Sequence, residues 1–170
     1  YNVVATRIPN GESIIKPGSH CTNCYHELKW YELIPLVSYI IQRGKCRKCY
    51  KKLSIWYFLS ELFTGLSFAF SYYLYGFDLM TIKSCILVSI VMITIISDVS
   101  YMVILDSPII IGTILLMIVD YFIGGFNLVL VNTFHGLMMF LIVLVIKLLG
   151  DKVFKQESLG WGDVKFSYLA

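Results

Sequence analysis

The chain has 170 residues, of which 58% are hydrophobic and 15% are charged, and its formal net charge is +3. Soluble domains carry about 25% charged residues, so this composition excludes an ordinary soluble globular domain. From about residue 55 the apolar runs are long and unalternated, which excludes amphipathic strands and favours helices that cross a bilayer. We therefore predict an all-α polytopic membrane protein, a helical bundle that carries a soluble loop.

The soluble loop comes first and is basic. Nine of the fourteen Lys and Arg residues lie in residues 1–52, against three acids. By the positive-inside rule, this segment lies in the cytoplasm. A nucleic-acid patch is the alternative interpretation of the run RGKCRKCYKK. A basic cluster beside a membrane needs only the lipid surface as partner, so we predict no nucleic acid partner.

Two C-x-x-C pairs lie within this loop, with 21 residues between them. The four residues are Cys21, Cys24, Cys46 and Cys49. Paired knuckles of this spacing are typical of a closed, structural four-thiolate zinc site. Disulfides are the alternative, and the reducing cytoplasm argues against them. His20 and His26 are then surplus to the four ligands, and we expect both to be solvated.

The rest of the chain predicts four membrane spans, at about 55–76, 82–97, 107–123 and 128–148. We therefore divide the chain into a cytoplasmic zinc-binding loop, 1–54, and a transmembrane domain, 55–170. The chain begins at Tyr1 rather than at a methionine and ends seven residues into another apparent span, so we expect a fragment of a longer protein. Alternating span directions place the end of the second span and the start of the last one at the cytoplasmic face.

Those two positions are occupied by Asp98 and Asp163. Two carboxylates in one site share a proton, and one can activate water while the other protonates a carbonyl, as in an aspartic protease. Gly160 and Gly162 precede Asp163, and they would let a substrate backbone approach closely. By itself, the G-x-G-D tetrapeptide is also compatible with an ordinary turn in which Asp163 caps the next helix.

Other acids lie in or near the predicted spans, where a carboxylate is costly. Glu61 lies two turns into the first span and needs a partner. We expect Asp106 to cap the span that begins near Ser107, and Asp120 to be solvated at the outer interface. Lys83, near the same interface, would reach water by snorkelling.

Taken in order, these features resemble the type IV prepilin peptidases, membrane aspartic proteases of the GxGD type. The resemblance rests on five stretches: YNVVATRIP, the two cysteine knuckles, SIWYFLSELFTG, ISDVSYMVILD and GWGDVK. It implies that Asp98 and Asp163 are catalytic, that Glu61 and Asp106 are supporting residues, and that a membrane helix precedes Tyr1. Leu105 and Leu33 depart from the family pattern, which carries proline and asparagine there.

The resemblance implies a bacterial plasma-membrane enzyme that cleaves prepilins or pseudopilins after a leader glycine, at the cytoplasmic face. Pilus, secretion and competence systems use such enzymes. Many members then methylate the new N-terminus, so S-adenosylmethionine is a further cofactor to consider beside structural zinc. Glu27 and Glu32 are our candidates for recognition of the basic leader. The sequence indicates neither the cognate pilin nor an oligomeric state.

Two other functions use the same features. A proton- or ion-coupled transporter could use the intramembrane acids as a relay, although the sequence has no clear internal repeat of the kind common in transporters. A zinc-ribbon membrane scaffold would need the cysteines but neither aspartate. Transport without peptidase activity would favour the first, and metal-dependent partner binding without the aspartates would favour the second.

Overall fold

The computed structural model describes residues 1–21 and 23–169, and within these residues the chain is helical with only two isolated β-bridges. Six α-helices follow in order: α1 (Asn2–Arg7), α2 (Val37–Ile41), α3 (Ile55–Tyr75), α4 (Leu79–Tyr101), α5 (Asp106–Phe154) and α6 (Trp161–Phe166). Short 3-10 turns cover Trp30–Glu32 and Ser167–Leu169. The predicted all-helical character is confirmed.

The long helix α5 has two arms. Gly124 and Gly125 have non-helical backbone angles, and Gly125 has a φ of 68°, which favours glycine. Asn132 nevertheless contacts Asp120, twelve residues earlier, at 2.8 Å. A straight helix would separate them by about 18 Å. The chain therefore reverses at the two glycines, between the third and fourth predicted spans.

The helices α3, α4 and α5 pack in sequence, and α1 lies against α3 and α4. Ile90, Ile109 and Leu116 form a small apolar core between α4 and α5. Gly112 allows this close packing, because a Cβ there would lie 2.2 Å from Ile90 Cδ1. Asn2 of α1 donates a 3.1 Å hydrogen bond to Ser60 of α3.

The outer surface of the helices is apolar, because most of their large apolar side chains are exposed. Most of the buried residues of α3, α4 and α5 are either small or polar. The buried serine and threonine residues are Ser60, Thr64, Ser71, Thr94 and Ser97. Ser71 of α3 shares a 2.7 Å hydrogen bond with Ser84 of α4. Small polar residues at helix contacts are typical of helices packed in lipid.

Two helices, α4 and α5, are long and apolar enough to cross a membrane. In their most apolar windows, only 17% and 6% of the residues are buried inside the protein. Core helices of soluble proteins are mostly covered, so this exposure distinguishes α4 and α5 from them. The helix α3 has the predicted bounds but does not reach the same hydropathy.

Candidate active site and metal centre

The four predicted cysteine ligands meet at one point. Their sulfur atoms all lie within 4.8 Å of one another, and none forms a disulfide. The sulfurs of Cys21 and Cys49 lie 3.7 Å apart, and those of Cys24 and Cys46 lie 3.9 Å apart. A tetrahedral zinc ion with sulfurs at about 2.3 Å separates its ligands by about 3.8 Å. The cluster therefore has the dimensions of a four-thiolate metal site.

Both knuckles have the same backbone design. The tyrosine after each second cysteine, Tyr25 or Tyr50, donates its N–H to the carbonyl of the first cysteine, at 2.9 and 3.0 Å. Both tyrosines have a left-handed φ, 53° and 57°. This turn points each pair of sulfurs to one side of the chain, which explains how two local motifs build one centre.

The thiols differ in acidity without a metal. The backbone of Lys51 contributes most to a hydrogen-bonding environment that lowers the pKa of Cys49 to about 6. The backbone of His26 lowers the pKa of Cys24, but desolvation and the neighbouring thiols outweigh it and raise that pKa to about 11. Near neutral pH, the centre therefore contains both thiolate and thiol.

Two predictions for this loop are wrong in detail. His26 is not simply solvated, because its Nε2 lies 3.5 Å from a carboxylate oxygen of Glu32. Glu32 is buried and also accepts a 2.9 Å hydrogen bond from the N–H of Lys29. The glutamate therefore holds the loop together and does not present a free carboxylate for leader recognition, whereas Glu27 is exposed.

At the membrane domain, α6 packs on the turn that joins α4 to α5. A Cβ on Gly162 would lie 2.5 Å from Ile104 Cβ, so only glycine fits this contact without movement. Ser97 fixes the start of the same turn by donating a 2.6 Å hydrogen bond to the carbonyl of Val103. Asp98 lies in the last turn of α4 and Asp163 in the first turn of α6. The segments that carry Asp98 and Asp163 therefore lie on either side of the contact between Gly162 and Ile104.

Asp98 and Asp163 differ from most acids of the helical domain. Within residues 1–21 and 23–169, neither side chain forms a hydrogen bond or an ion pair, and both are exposed. The acids that do have partners are Glu61, Asp78, Asp106, Asp120 and Asp151. Asp163 does not cap α6, because Gly160 is the N-cap residue and no side chain bonds there. The direct pairing of Asp98 with Asp163 stays a prediction.

Two supporting acids have structural partners. Glu61 accepts a 2.9 Å hydrogen bond from the N–H of Leu36, which ties the cytoplasmic loop to α3. Asp106 is the first residue of α5, and its side chain makes no cap bond. It binds Lys165 instead, so the predicted capping role is wrong.

Asp120 is likewise buried rather than solvated, with 4% of its surface exposed. Lys83 donates to one of its oxygens at 2.6 Å, and Asn132 donates to the other at 2.8 Å. The buried carboxylate of Asp120 is tolerated because both of its oxygens accept hydrogen bonds and Lys83 balances its charge. The lysine therefore pairs across α4 and α5 rather than only snorkelling.

Sequence reasoning missed Lys147, whose surface is only 1% exposed. Its ammonium donates to the carbonyl of Leu159, lies 3.2 Å from Asp151, and lies 5.1 Å from the centre of the Trp161 ring. Asp151 in turn accepts bonds from the N–H and hydroxyl of Ser158, at 2.6 and 2.8 Å. The available signal was a lysine within the apolar span predicted at 128–148, 16 residues before Asp163.

An apolar groove of about 260 Å³ runs between α1, α3 and α4. The α4 side of the groove consists of Met92, Ile95, Ile96, Val99 and Ser100. Asn2, Thr6 and Ser60 supply polar groups. Val99 and Ser100 directly follow Asp98 in α4, and Asp98 itself is not among the lining residues.

Residues 1–75 match the family model of the bacterial peptidase A24 N-terminal domain. The chain is 34% identical over 164 residues to a prepilin leader peptidase/N-methyltransferase of Myxococcus xanthus, covering 95% of this chain and 48% of the relative. It is 35% identical over 104 residues to the Bacillus subtilis protein of that name, covering 61% and 42%. For the Neisseria gonorrhoeae protein of that name, identity is 40% over 75 residues, covering 44% and 26%.

The matched part thus spans about half the length, or less, of these curated relatives. No solved structure matches the chain. The comparisons agree with the resemblance indicated by the sequence motifs: residues 1–75 match the bacterial peptidase A24 N-terminal domain, and the chain is similar to proteins named prepilin leader peptidase/N-methyltransferase.

Proposed function

We propose that this chain is part of a membrane aspartic endopeptidase that cleaves the leader of type IV prepilins or pseudopilins after its glycine. The supporting observation is that, among the residues the structure describes, the side chains of Asp98 and Asp163 form no hydrogen bond or ion pair, whereas five of the other six acids in the helical domain do. Carboxylates kept free beside one helix contact are available for chemistry. The relatives' name, prepilin leader peptidase/N-methyltransferase, supports prepilin as substrate.

The proposed chemistry needs one proton shared between two carboxyl groups. The ionised carboxylate of the pair takes a proton from water, which attacks the scissile carbonyl, and the protonated partner donates to the carbonyl oxygen. Gly162, packed against Ile104, holds Asp163 at the turn after Asp98.

The apolar outer surface of α4 and α5 supports insertion into a bacterial plasma membrane with multiple crossings. The basic loop before α3 would lie on the cytoplasmic side, where residues 1–54 form the metal-binding unit and residues 55–170 the peptidase domain. A prepilin has an apolar helix after its cleavage site. The groove between α1, α3 and α4 offers that helix an apolar surface, which includes Val99, the residue after Asp98.

The four thiolates fit zinc, which would close the loop structurally with no coordination position left for substrate. The relatives' names include N-methyltransferase, so we also propose methylation of the new N-terminus with S-adenosylmethionine. No residue of the chain is assigned to that cofactor.

The test uses the intact protein that contains this chain, reconstituted in lipid with a prepilin whose basic leader ends in glycine. We expect Asp98→Asn and Asp163→Asn each to reduce cleavage by at least ~100-fold, because each removes one acid–base group. Asp78→Asn is the matched control, since Asp78 caps α4 at the end remote from Asp98. Cleavage at the wild-type rate by either dyad variant would contradict the proposal, and ion flux without cleavage would favour a transporter.

A further inference from the structure

The segment between the cysteine knuckles exposes an apolar patch. The patch consists of Trp30, Leu33, Ile34, Val37, Ile40 and Ile41, all exposed. Val37, Ile40 and Ile41 occupy one face of α2, since they follow an i, i+3, i+4 pattern. Trp30 is 77% exposed and Ile41 65% exposed. Such a concentration of exposed apolar side chains marks an interaction surface.

Two contacts fix the depth of this patch relative to the membrane helices. The N–H of Leu36 binds Glu61, and the ring of Tyr39 packs on Phe58, with centroids 5.3 Å apart. Glu61 is six residues beyond the start of α3, so the patch lies about 9 Å along that helix. Surface helices of membrane proteins bury their apolar face roughly 5–10 Å into the boundary between headgroups and acyl chains. The depth of the patch matches this boundary.

The charged residues that follow the patch in sequence indicate what kind of surface the patch binds. Arg43, Lys45 and Lys48 follow α2 directly, and all three are exposed. Juxtamembrane lysine and arginine residues are attracted to anionic headgroups by about 1 kcal/mol each. The patch therefore combines an apolar face with a basic rim, the pattern of segments that bind an anionic bilayer surface.

We propose that residues 30–41 are a membrane-surface anchor, which inserts the patch into the cytoplasmic leaflet while Arg43, Lys45 and Lys48 contact anionic headgroups. This inference rests on the membrane insertion in the proposed function. The anchor holds the thiolate cluster at the bilayer surface, beside the cytoplasmic end of α3. Glu61 is then the residue that sets the height of the metal-binding loop.

The experiment measures the fluorescence of Trp30 in the intact protein, in nanodiscs of phosphatidylglycerol and phosphatidylcholine. The Trp30 signal is the difference between wild type and Trp30→Phe. We expect lipids brominated near the headgroup to quench at least half of it and acrylamide to quench little. A tryptophan at Tyr50→Trp, in the Trp30→Phe background, is the control, because Tyr50 is an exposed knuckle residue outside the patch. We expect acrylamide to quench this control tryptophan and the brominated lipids to quench it little.

Two variants test the two parts of the anchor. Replacing both Ile40 and Ile41 with Asp should abolish quenching by lipid while zinc content is kept, and Gln42→Asp should not. Replacing Arg43, Lys45 and Lys48 with Gln should reduce quenching in phosphatidylglycerol discs and leave it unchanged in phosphatidylcholine discs. An equal effect in both lipids would refute the headgroup contact.

Acrylamide quenching of Trp30 without lipid quenching would place the patch in water and overturn the proposal. Protection from both quenchers would mean that protein covers the patch, which also overturns it. The experiment distinguishes failure of the anchor proposal from failure of the proposed function. Quenching of Trp30 by lipid in a protein that cleaves no prepilin would refute the peptidase function and leave the anchor proposal intact.

Discussion

Lys165 donates to both carboxylate oxygens of Asp106, at 2.8 and 2.7 Å. The lysine follows Asp163 by two residues, and the aspartate begins the helix after Asp98. The pair therefore links the two segments that carry the candidate catalytic acids. Both side chains are about half exposed, and exposed ion pairs contribute only about 0–1 kcal/mol. The ion pair of Lys165 with Asp106 therefore aligns α6 and contributes little to the free energy of unfolding.

Breaking this pair should impair cleavage more than stability. We expect Asp106→Asn and Lys165→Gln each to lower kcat by about tenfold, equivalent to about 1.4 kcal/mol in the barrier, while the melting temperature changes by a few degrees at most. The double variant should be no worse than either single variant, because one contact is lost in all three. Additive losses would show that the residues act separately.

The acidities of Cys24 and Cys49 predict which protons are released when zinc binds. At pH 7.5 Cys24 is a thiol, since its pKa is raised to about 11, whereas Cys49, with a pKa of about 6, is already a thiolate. Zinc binding therefore releases the Cys24 proton at pH 7.5. Below pH 6 the Cys49 proton must leave as well, so affinity falls as the pH falls.

Titration calorimetry in buffers of different ionisation enthalpy measures this release directly. Cys24→Ser should lose the metal, whereas Cys85→Ser should retain it because Cys85 lies in α4, outside the cluster. Zinc binding without proton release at pH 7.5 would contradict the assigned acidities. Full metal content in the Cys24 variant would contradict the ligand set.

Lys147 should position the segment that carries Asp163. Replacement by Met keeps the length of the side chain but removes the ion pair with Asp151 and leaves the Leu159 carbonyl without its donor, at a cost of about 1–3 kcal/mol. We expect Lys147→Met to lower kcat with little change in KM, and to speed proteolysis of the loop at 155–160. Lys147→Arg keeps the donor and should restore part of the rate. Equal losses for Met and Arg would assign the effect to packing alone.

The buried pair of Lys83 and Asp120 should affect stability rather than catalysis. Removing one partner leaves an uncompensated charge, so Lys83→Met should destabilise the protein by about 3 kcal/mol, near the lower end for buried pairs because Lys83 is partly exposed. Lys83→Met combined with Asp120→Leu should recover most of that loss. Thermal unfolding in detergent and a cleavage assay separate the two effects. An unaltered melting temperature in the single variant would contradict this assignment.

Local patterns predicted the structure well. The cysteine cluster follows from spacing alone, because each knuckle is a local turn. The first span was predicted at 55–76 and α3 covers Ile55–Tyr75, while the reversal at Gly124 and Gly125 lies between the third and fourth predicted spans. The second arm of α5 runs on to Phe154, beyond the predicted 148, and Lys147 and Asp151 form an i, i+4 pair across that predicted boundary.

Contacts between distant residues could not be predicted in this way. The partners of Asp120 and Asp106 lie 37 and 59 residues away, and periodicity carries no information on which helices pack together. Sequence therefore assigned the two acids roles at the nearest helix end or interface. For the same reason, the predicted topology placed Asp98 and Asp163 at the same depth in the membrane but did not predict the distance between them.

The left-handed tyrosines of the two knuckles have an energetic consequence. A non-glycine residue in that conformation costs on the order of 1–3 kcal/mol, so Tyr25 and Tyr50 together oppose the folded shape of the empty loop. Coordination must overcome this strain each time an ion arrives. Without an ion, the two tyrosines would consequently favour relaxation of the knuckles away from the geometry that brings the four sulfurs together.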